Sequence, residues 1–237
     1  GYTLLVASAS HAINASLYKS LPYDPVADFE PVSLIGITSN VVAVHPSVPA
    51  NTLAEFIALA KARPGTINLA SAGTGSSSHL AGELFRSMAG IELIHVPYKG
   101  TADSVRDLLS GQVQATVDSV PALLPHINRG ALRALGVGDR KRIPQLPDVP
   151  TANELGLNMT GGTNFGLWAT LGTPRDIVMK LNEAAVAAVR APEVAKVLRG
   201  EGVSLELPGS TPEELAAAYR EEVRTLTEAA RIANFKP

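Results

Sequence analysis

Short runs of apolar, often β-branched residues alternate along this chain with stretches whose apolar residues recur every three or four positions. Thr3 to Ala7 reads as a strand, followed by a polar turn, Ser8-Ala9-Ser10-His11. Val32 to Ile37 and Val41 to His45 are apolar runs separated by Thr38-Ser39-Asn40, long enough together to pass from one lobe to another. Further strands are expected at Ile67–Ala70, Ile91–Val96, Val113–Val117, Leu132–Val137 and Phe165–Thr170. Helices fall between them. Ser77–Met88 carries Leu80, Leu84, Phe85 and Met88 on one face, Thr101–Leu109 stops at Gly111, and Pro121–Ile127 is a short helix.

Helix starts announce themselves. Thr52-Leu-Ala-Glu55 and Thr151-Ala-Asn-Glu154 are capping boxes, and Thr173-Pro174 sets a cap and a first-turn proline before a long Ala-rich helix. Thr211-Pro212-Glu213-Glu214 repeats the device for a C-terminal helix that buries Leu215, Tyr219, Val223 and Leu226. Such alternation of strand and helix implies an α/β fold of mostly parallel sheets covered by helices. The runs near 33–45 and 163–170 suit connecting strands. A middle lobe, 38–163, is therefore expected to be inserted into an outer lobe made of 1–37 plus 164–237.

Composition narrows the function. The chain has 237 residues, 46% of them hydrophobic and 18% charged, too apolar for a disordered segment. Lys plus Arg number 20 against 22 Asp plus Glu, so no basic surplus exists to bind nucleic acid or anionic lipid. The absence of cysteine excludes disulfides, thiolate metal sites and cysteine nucleophiles. His45, His95 and His126 lack metal-ligand spacing, so neither a metal nor a cofactor is expected. No apolar run is long enough to cross a membrane. The start, Gly1-Tyr2-Thr3-Leu4, has no basic flank or small-residue cleavage pattern and is not a signal peptide. It reads as a strand already under way, so the native chain is expected to begin upstream.

The chemistry concentrates in Asn68-Leu-Ala-Ser71-Ala-Gly73-Thr74-Gly75-Ser76-Ser77-Ser78-His79, a strand, a glycine turn and a helix start crowded with hydroxyls. Unpaired backbone N–H groups and the positive end of the helix dipole suit a carboxylate or a phosphate there. The plainer reading is that Ser76 or Ser77 only caps its own helix. The Gly-Lys-Ser/Thr ending of a phosphate loop is missing, as are the dinucleotide fingerprint and any Gly-x-Ser-x-Gly elbow.

Gly73-Thr-Gly-Ser-Ser-Ser-His-Leu-Ala-Gly-Glu-Leu-Phe85 and His95-Val-Pro-Tyr-Lys-Gly100 resemble the Bug-type receptors of tripartite tricarboxylate transporters. Ile13-Asn-Ala-Ser-Leu-Tyr-Lys-Ser-Leu-Pro-Tyr-Asp-Pro25, Asp28-Phe-Glu-Pro-Val-Ser33, Leu132-Arg-Ala-Leu135, Leu146-Pro-Asp-Val-Pro-Thr151, Phe165-Gly-Leu and Gly172-Thr-Pro174 agree in order, so the similarity covers essentially the whole chain. The resemblance implies a type II periplasmic-binding-protein-like fold with a ligand cleft between two lobes. It also implies an exported, periplasmic, monomeric receptor that captures a small organic mono- or dicarboxylate and presents it to membrane permease subunits. Carboxylates in that family are guests of helix N-termini and neutral loop donors more than partners of arginine. The matching positions here are Ser8, Ser10 and His11 of the first turn, Thr74, Gly75, Ser76, Ser77 and Ser78 of the second, and Asp118 with Ser119 at the end of a middle-lobe strand. These loops contain no Lys or Arg.

Three departures from the family stand out. The family carries a strand–helix–strand unit ahead of the position of Gly1, which is expected upstream of it; without that unit the outer lobe would lack a central strand. Asn164 replaces an aromatic residue before Phe165-Gly-Leu, and Ser78 takes a place commonly held by Gln. The last two bear on ligand preference.

Individual candidates carry two readings each. His79 is expected to be a structural histidine bonded to backbone, and His11 to face the cleft from a turn that follows a strand. Tyr98 either contacts ligand or closes the lobe interface. Asp118 would repel an anion, so it orders a loop or accepts a ligand amine or hydroxyl. Asn40 and Thr163, on the connecting strands, either donate to ligand or satisfy local backbone, and Gly73 opens the turn. No nucleophile, base and orienting group assemble at recognisable spacing, so the chain is expected to bind and not to catalyse. The rival reading is a ligand-sensing effector module of a transcriptional regulator or signalling system.

Overall fold

The computed structural model describes residues 3–8, 11, 12, 14, 21–157, 159, 162–204 and 209–232. Its axis is β2 (Phe29–Val44), whose 16 residues exceed the usual strand length. The two apolar runs expected here are one strand. The polar triplet between them marks the place where β2 changes partners. Up to Ser39 it pairs with β7 (Gly162–Thr170), from Phe29↔Thr170 to Ser39↔Gly162. From Asn40 onward it pairs with β5 (Ala115–Ser119) on one edge and β6 (Arg133–Gly138) on the other. β1 (Leu4–Ala7) extends the first part beyond β7, and the short β8 (Val203–Ser204) lies on β2 at Ile37 and Thr38. β3 (Asn68–Ser71) continues the second part, parallel to both β5 and β4 (Ile94–Pro97).

The sheet is thus mixed, which corrects the expectation of mostly parallel sheets. Strands β3 to β6 share one direction, as their helical crossovers require. β2 inserts between β5 and β6 in the opposite sense, and β1, β7 and β8 also form only antiparallel pairs.

Helices cover both faces. Val42 and Val44 point to one side and pack with Phe56 of α1 (Leu53–Ala62) and Phe85 of α2 (Ser77–Ala89). Val41 and Ala43 point to the other, against Leu108 of α3 (Thr101–Leu109) and Leu123 of α4 (Val120–Asn128). The two-residue period of the strand therefore divides one run of valine and alanine between two cores. Around the first half of β2, Leu34 packs with Trp168, while Ile35 adjoins Val189 of α5 (Arg175–Arg190) and Ala195 of α6 (Pro192–Gly200). Leu215 and Tyr219 of α7 (Pro212–Ile232) complete the Leu34–Trp168 cluster, with Val223 and Leu226 partly buried beside it.

Local signals fare unevenly. The box at Thr211 forms, Thr52 caps Glu55 N–H while Glu55 accepts from Asn51 N–H instead, and both start full helices. The box at Thr151 also forms, but Gly156 turns left-handed (φ 79°) and ends the helix after Asn153–Leu155. Pro174 occupies the cap position itself, and the Thr173 hydroxyl donates back to Thr170 O instead of capping. The Ala-rich helix ends at Ala191, because a residue before proline is pushed out of the helical region.

Candidate ligand site at the glycine turn and the hinge strand

β3 delivers Ser71 to the turn, and α2 starts six residues later behind the cap residue Ser76. Gly73 has φ 137°, and a Cβ there would lie 2.9 Å from Tyr98 O, so only glycine fits. The turn is bonded internally. Ala72 N–H donates to Ser78 Oγ (2.9 Å), Gly73 N–H to Ser71 Oγ (3.2 Å), and His79 N–H to Ser76 Oγ (3.2 Å). Gly75 N–H donates to His79 Nδ1 (3.2 Å), and Ser76 N–H to Gly73 O (3.1 Å). Ser76 thus fulfils the plain capping reading, and Ser78, buried, braces the strand end. Thr74 is exposed and Ser77 half-buried, and neither side chain has a partner among the described residues. Thr74 N–H and the N–H groups of Ser77 and Ser78 at the start of α2 have no partner among the described residues.

Two imidazoles support the turn from behind. His79 and His95 stack with ring centres 3.6 Å apart and planes 8° from parallel. Since His79 Nδ1 accepts from Gly75, the neutral ring carries its proton on Nε2. Burial lowers the His79 pKa to about 4, with the neighbouring His95 and Arg86 adding to the effect. His95 Nε2 meets Ser71 Oγ at 2.7 Å, and its pKa is also lowered, chiefly by burial. The backbone-bonded histidine expected at position 79 is what the structure contains.

The hinge strand gathers the other candidates. Strand register puts Asn40 opposite Ser119, Thr38 opposite Thr163, and Ile37 opposite Asn164, within four residues of β2. Asn40 and Thr163 are buried, and Thr38 Oγ1 is buried without a partner. Asp118 is 6% exposed; its Oδ1 accepts from Ser119 N–H (2.7 Å), while Oδ2 has no partner. Burial pushes the Asp118 carboxyl up to about 6.

Asn164 also donates to Glu222 of α7, whose burial raises its carboxyl to about 7 against those hydrogen bonds. Ser8, Asn164 and Glu222 line a small cavity of about 10 Å³, enough for one water. Further along α7, Leu226 and Ala230 meet Leu80 and Leu84 of α2. One or two helical turns of α7 therefore separate Asn164 from the start of α2.

Two candidates turn away. His11 is 7% exposed and enclosed by Phe29 (centroids 4.8 Å), Tyr219 (5.5 Å), Trp168 (6.0 Å) and Tyr23 (6.1 Å). The chain is already helical at His11 and Ala12, which carries the ring inward instead of into a cleft. Its pKa is lowered, mainly by burial, although a hydrogen bond with Pro25 opposes this. Tyr98 packs its ring beside the α3–α4 core, and burial together with a hydrogen bond to Asp107 raises its phenol pKa. It is the Tyr98 backbone that serves the turn, by donating N–H to Ser71 O. Ser10 lies outside the described residues.

Glu222 and the Ser71–His95 pair are absent from the residues singled out by sequence. Glu222 had a visible signal, a carboxylate three residues after Tyr219 on the apolar stripe of α7. Among the described residues no group of three or more His, Asp or Glu could hold a metal ion, and no helix is long and apolar enough to cross a membrane.

Residues 1–217 match the family model described as "Tripartite tricarboxylate transporter family receptor". The chain belongs to this family. BugT of Bordetella pertussis is 35% identical over 227 residues, covering 94% of this chain and 69% of BugT. The chain spans about two thirds of the length of the curated relatives it matches. Among solved structures, R. palustris Rpa4515 with adipate superposes with a TM-score of 0.94 at 34% identity, covering 100% of this chain and 79% of that one. MatC (Rpa3494) from Rhodopseudomonas palustris, with bound malate, gives 0.90 at 31% identity over 96% of this chain and 78% of its own. The fold is therefore the two-lobed α/β fold of periplasmic receptors in this family.

Proposed function

We propose that this chain is the ligand-capturing part of a periplasmic receptor that takes a small organic mono- or dicarboxylate and hands it to membrane permease subunits. The observation that carries this reading is the glycine turn. It leaves Thr74 N–H, Thr74 Oγ1, Ser77 Oγ and the positive end of α2 unengaged, with no cation among residues 72–79. The adipate and malate in two relatives of high structural similarity support the ligand class.

In this reading the lobes are 38–163 and 1–37 plus 164–237, which meet at Thr38–Asn40 and Thr163–Asn164. A carboxylate on the Thr74–Ser77 donors would be covered from the hinge by Asn40, Ser119, Thr163 and Asn164. Closure expels water, which strengthens neutral donors towards an anion. Each charged hydrogen bond contributes on the order of 1.5–3 kcal/mol, so a few reach roughly micromolar affinity after the cost of immobilising ligand. Asp118 orders the β5 end, its Oδ1 accepting from Ser119 N–H.

The receptor is read as a non-catalytic monomer. The Ser71–His95 contact lies beneath a serine that is 1% exposed, and Ser47 with His45 is a surface contact two residues apart. Membership of a receptor family disfavours the effector-module alternative.

Thermal-shift and calorimetric titration of the full-length receptor with adipate, malate, succinate and glucose tests the proposal. At least one acid raises Tm, glucose does not, and Ser77→Ala weakens the acid by about tenfold. A shift with glucose and none with the acids would overturn it.

A further inference from the structure

Beside Ser39 lies a groove of about 750 Å³, lined by Ser39, by Asp139 to Gln145 and by Arg199 with Gly202 to Ser204. None of these residues belongs to the glycine turn. Its volume is in the range of small-molecule sites.

The lining is unusually cationic. Arg140, Lys141, Arg142 and Arg199 are four of its twelve residues, in a chain with 20 Lys plus Arg among 237. Arg142 is already forked onto Glu154 (2.7 Å). Arg140, Lys141 and Arg199 have no ion pair among the described residues. The one acid in the lining is held within it: Asp139 Oδ1 accepts from Arg140 N–H (2.6 Å) and Oδ2 from Ser39 Oγ (2.5 Å). Gln145 Nε2 donates to Arg199 O (2.6 Å), which fixes the two walls against each other. Three cations without an ion pair therefore line one concavity from two sides, Arg140 and Lys141 from the segment after β6 and Arg199 from the end of α6, against the single carboxylate of Asp139.

Like charges gathered this way repel unless a counter-ion joins them, and a concave wall concentrates their field. Guanidinium forks suit phosphate or carboxylate oxygens in pairs. We propose that this groove is a second anion site, separate from the carboxylate site at the glycine turn, for a compact anion carrying two or more negative charges. The claim does not depend on what the glycine turn binds. An anion seated between Arg140, Lys141 and Arg199 would tie the two walls together.

Calorimetric titration of the full chain with tripolyphosphate and, separately, with citrate tests this and separates phosphate from carboxylate chemistry. The variants are R140E/R199E, the milder K141E, and R224E, a solvent-exposed arginine of α7 paired with Glu221. At least one of the two anions binds the unmodified chain, more weakly at about 0.3 M NaCl. Its affinity falls about tenfold or more in R140E/R199E, by less in K141E, and not at all in R224E. No binding of either anion overturns the proposal. So does an affinity that R140E/R199E leaves unchanged, or that R224E lowers as much, since attraction would then follow net charge alone.

Discussion

The His79 ring meets the glycine turn through the lone pair of its Nδ1. Its Nδ1 must be unprotonated to accept Gly75 N–H, and its low pKa follows from burial beside His95 and Arg86, with Glu83 paired to Arg86 close by. A histidine at about 4 when folded and near 6.5 when unfolded binds fewer protons folded across that interval. Its contribution to stability is therefore complete above pH 6.5 and is lost as pH falls towards 4. Asp118 and Glu222, both raised, act in the opposite sense, losing stability as pH rises through the ranges from 3.8 to about 6 and from 4.5 to about 7. The wild-type curve is a sum, so the informative quantity is a difference. His79→Gln offers an amide oxygen to Gly75 without titrating. Urea denaturation of both proteins from pH 4 to 7 should show wild type losing stability relative to the variant as pH falls. Parallel curves would exclude this role.

At the scale of elements, the turn between β3 and α2 is held by geometry that tolerates no side chain at Gly73. Gly73→Ala puts a Cβ against Tyr98 O at a φ of 137°, at a cost of about 1–3 kcal/mol. Chemical denaturation should register that loss, together with weakened acid binding; a variant as stable as wild type would contradict the geometry. Much of this element was legible in sequence, because strand, glycines, cap and helix are neighbours in the chain. Which hydroxyls stay free was not legible, since Ser78 is used by Ala72 and Ser76 by its own helix. The same division separates Thr52–Glu55, a local signal that held, from Thr38-Ser39-Asn40, whose polarity reflects strands far away in the chain. His11 misled for a similar reason, since the rings around it come from three distant segments.

Across the whole molecule, protection is expected to be uneven. Val41 to Val44 are fully buried, with β5 on one edge and β6 on the other. Among the described residues β1 pairs with β7 alone, and its Leu4, Leu5 and Val6 are 41%, 37% and 59% exposed. Hydrogen exchange of the 237-residue chain, followed by mass spectrometry, should find peptides over 41–44 among the slowest and those over 4–7 among the fastest. Equal protection of the two would refute this ordering. The α/β class and the two connecting runs could be read from strand–helix alternation, but the insertion of β2 between β5 and β6 could not, because no local signal records which edge a strand joins.

That inserted strand has a mechanical corollary. A continuous ribbon threaded through both bodies resists being stretched or sheared, yet it can twist and flex where its ladder partners are exchanged. On the proposed division at Thr38–Asn40, relative motion of the two bodies is a rotation about an axis near Ser39.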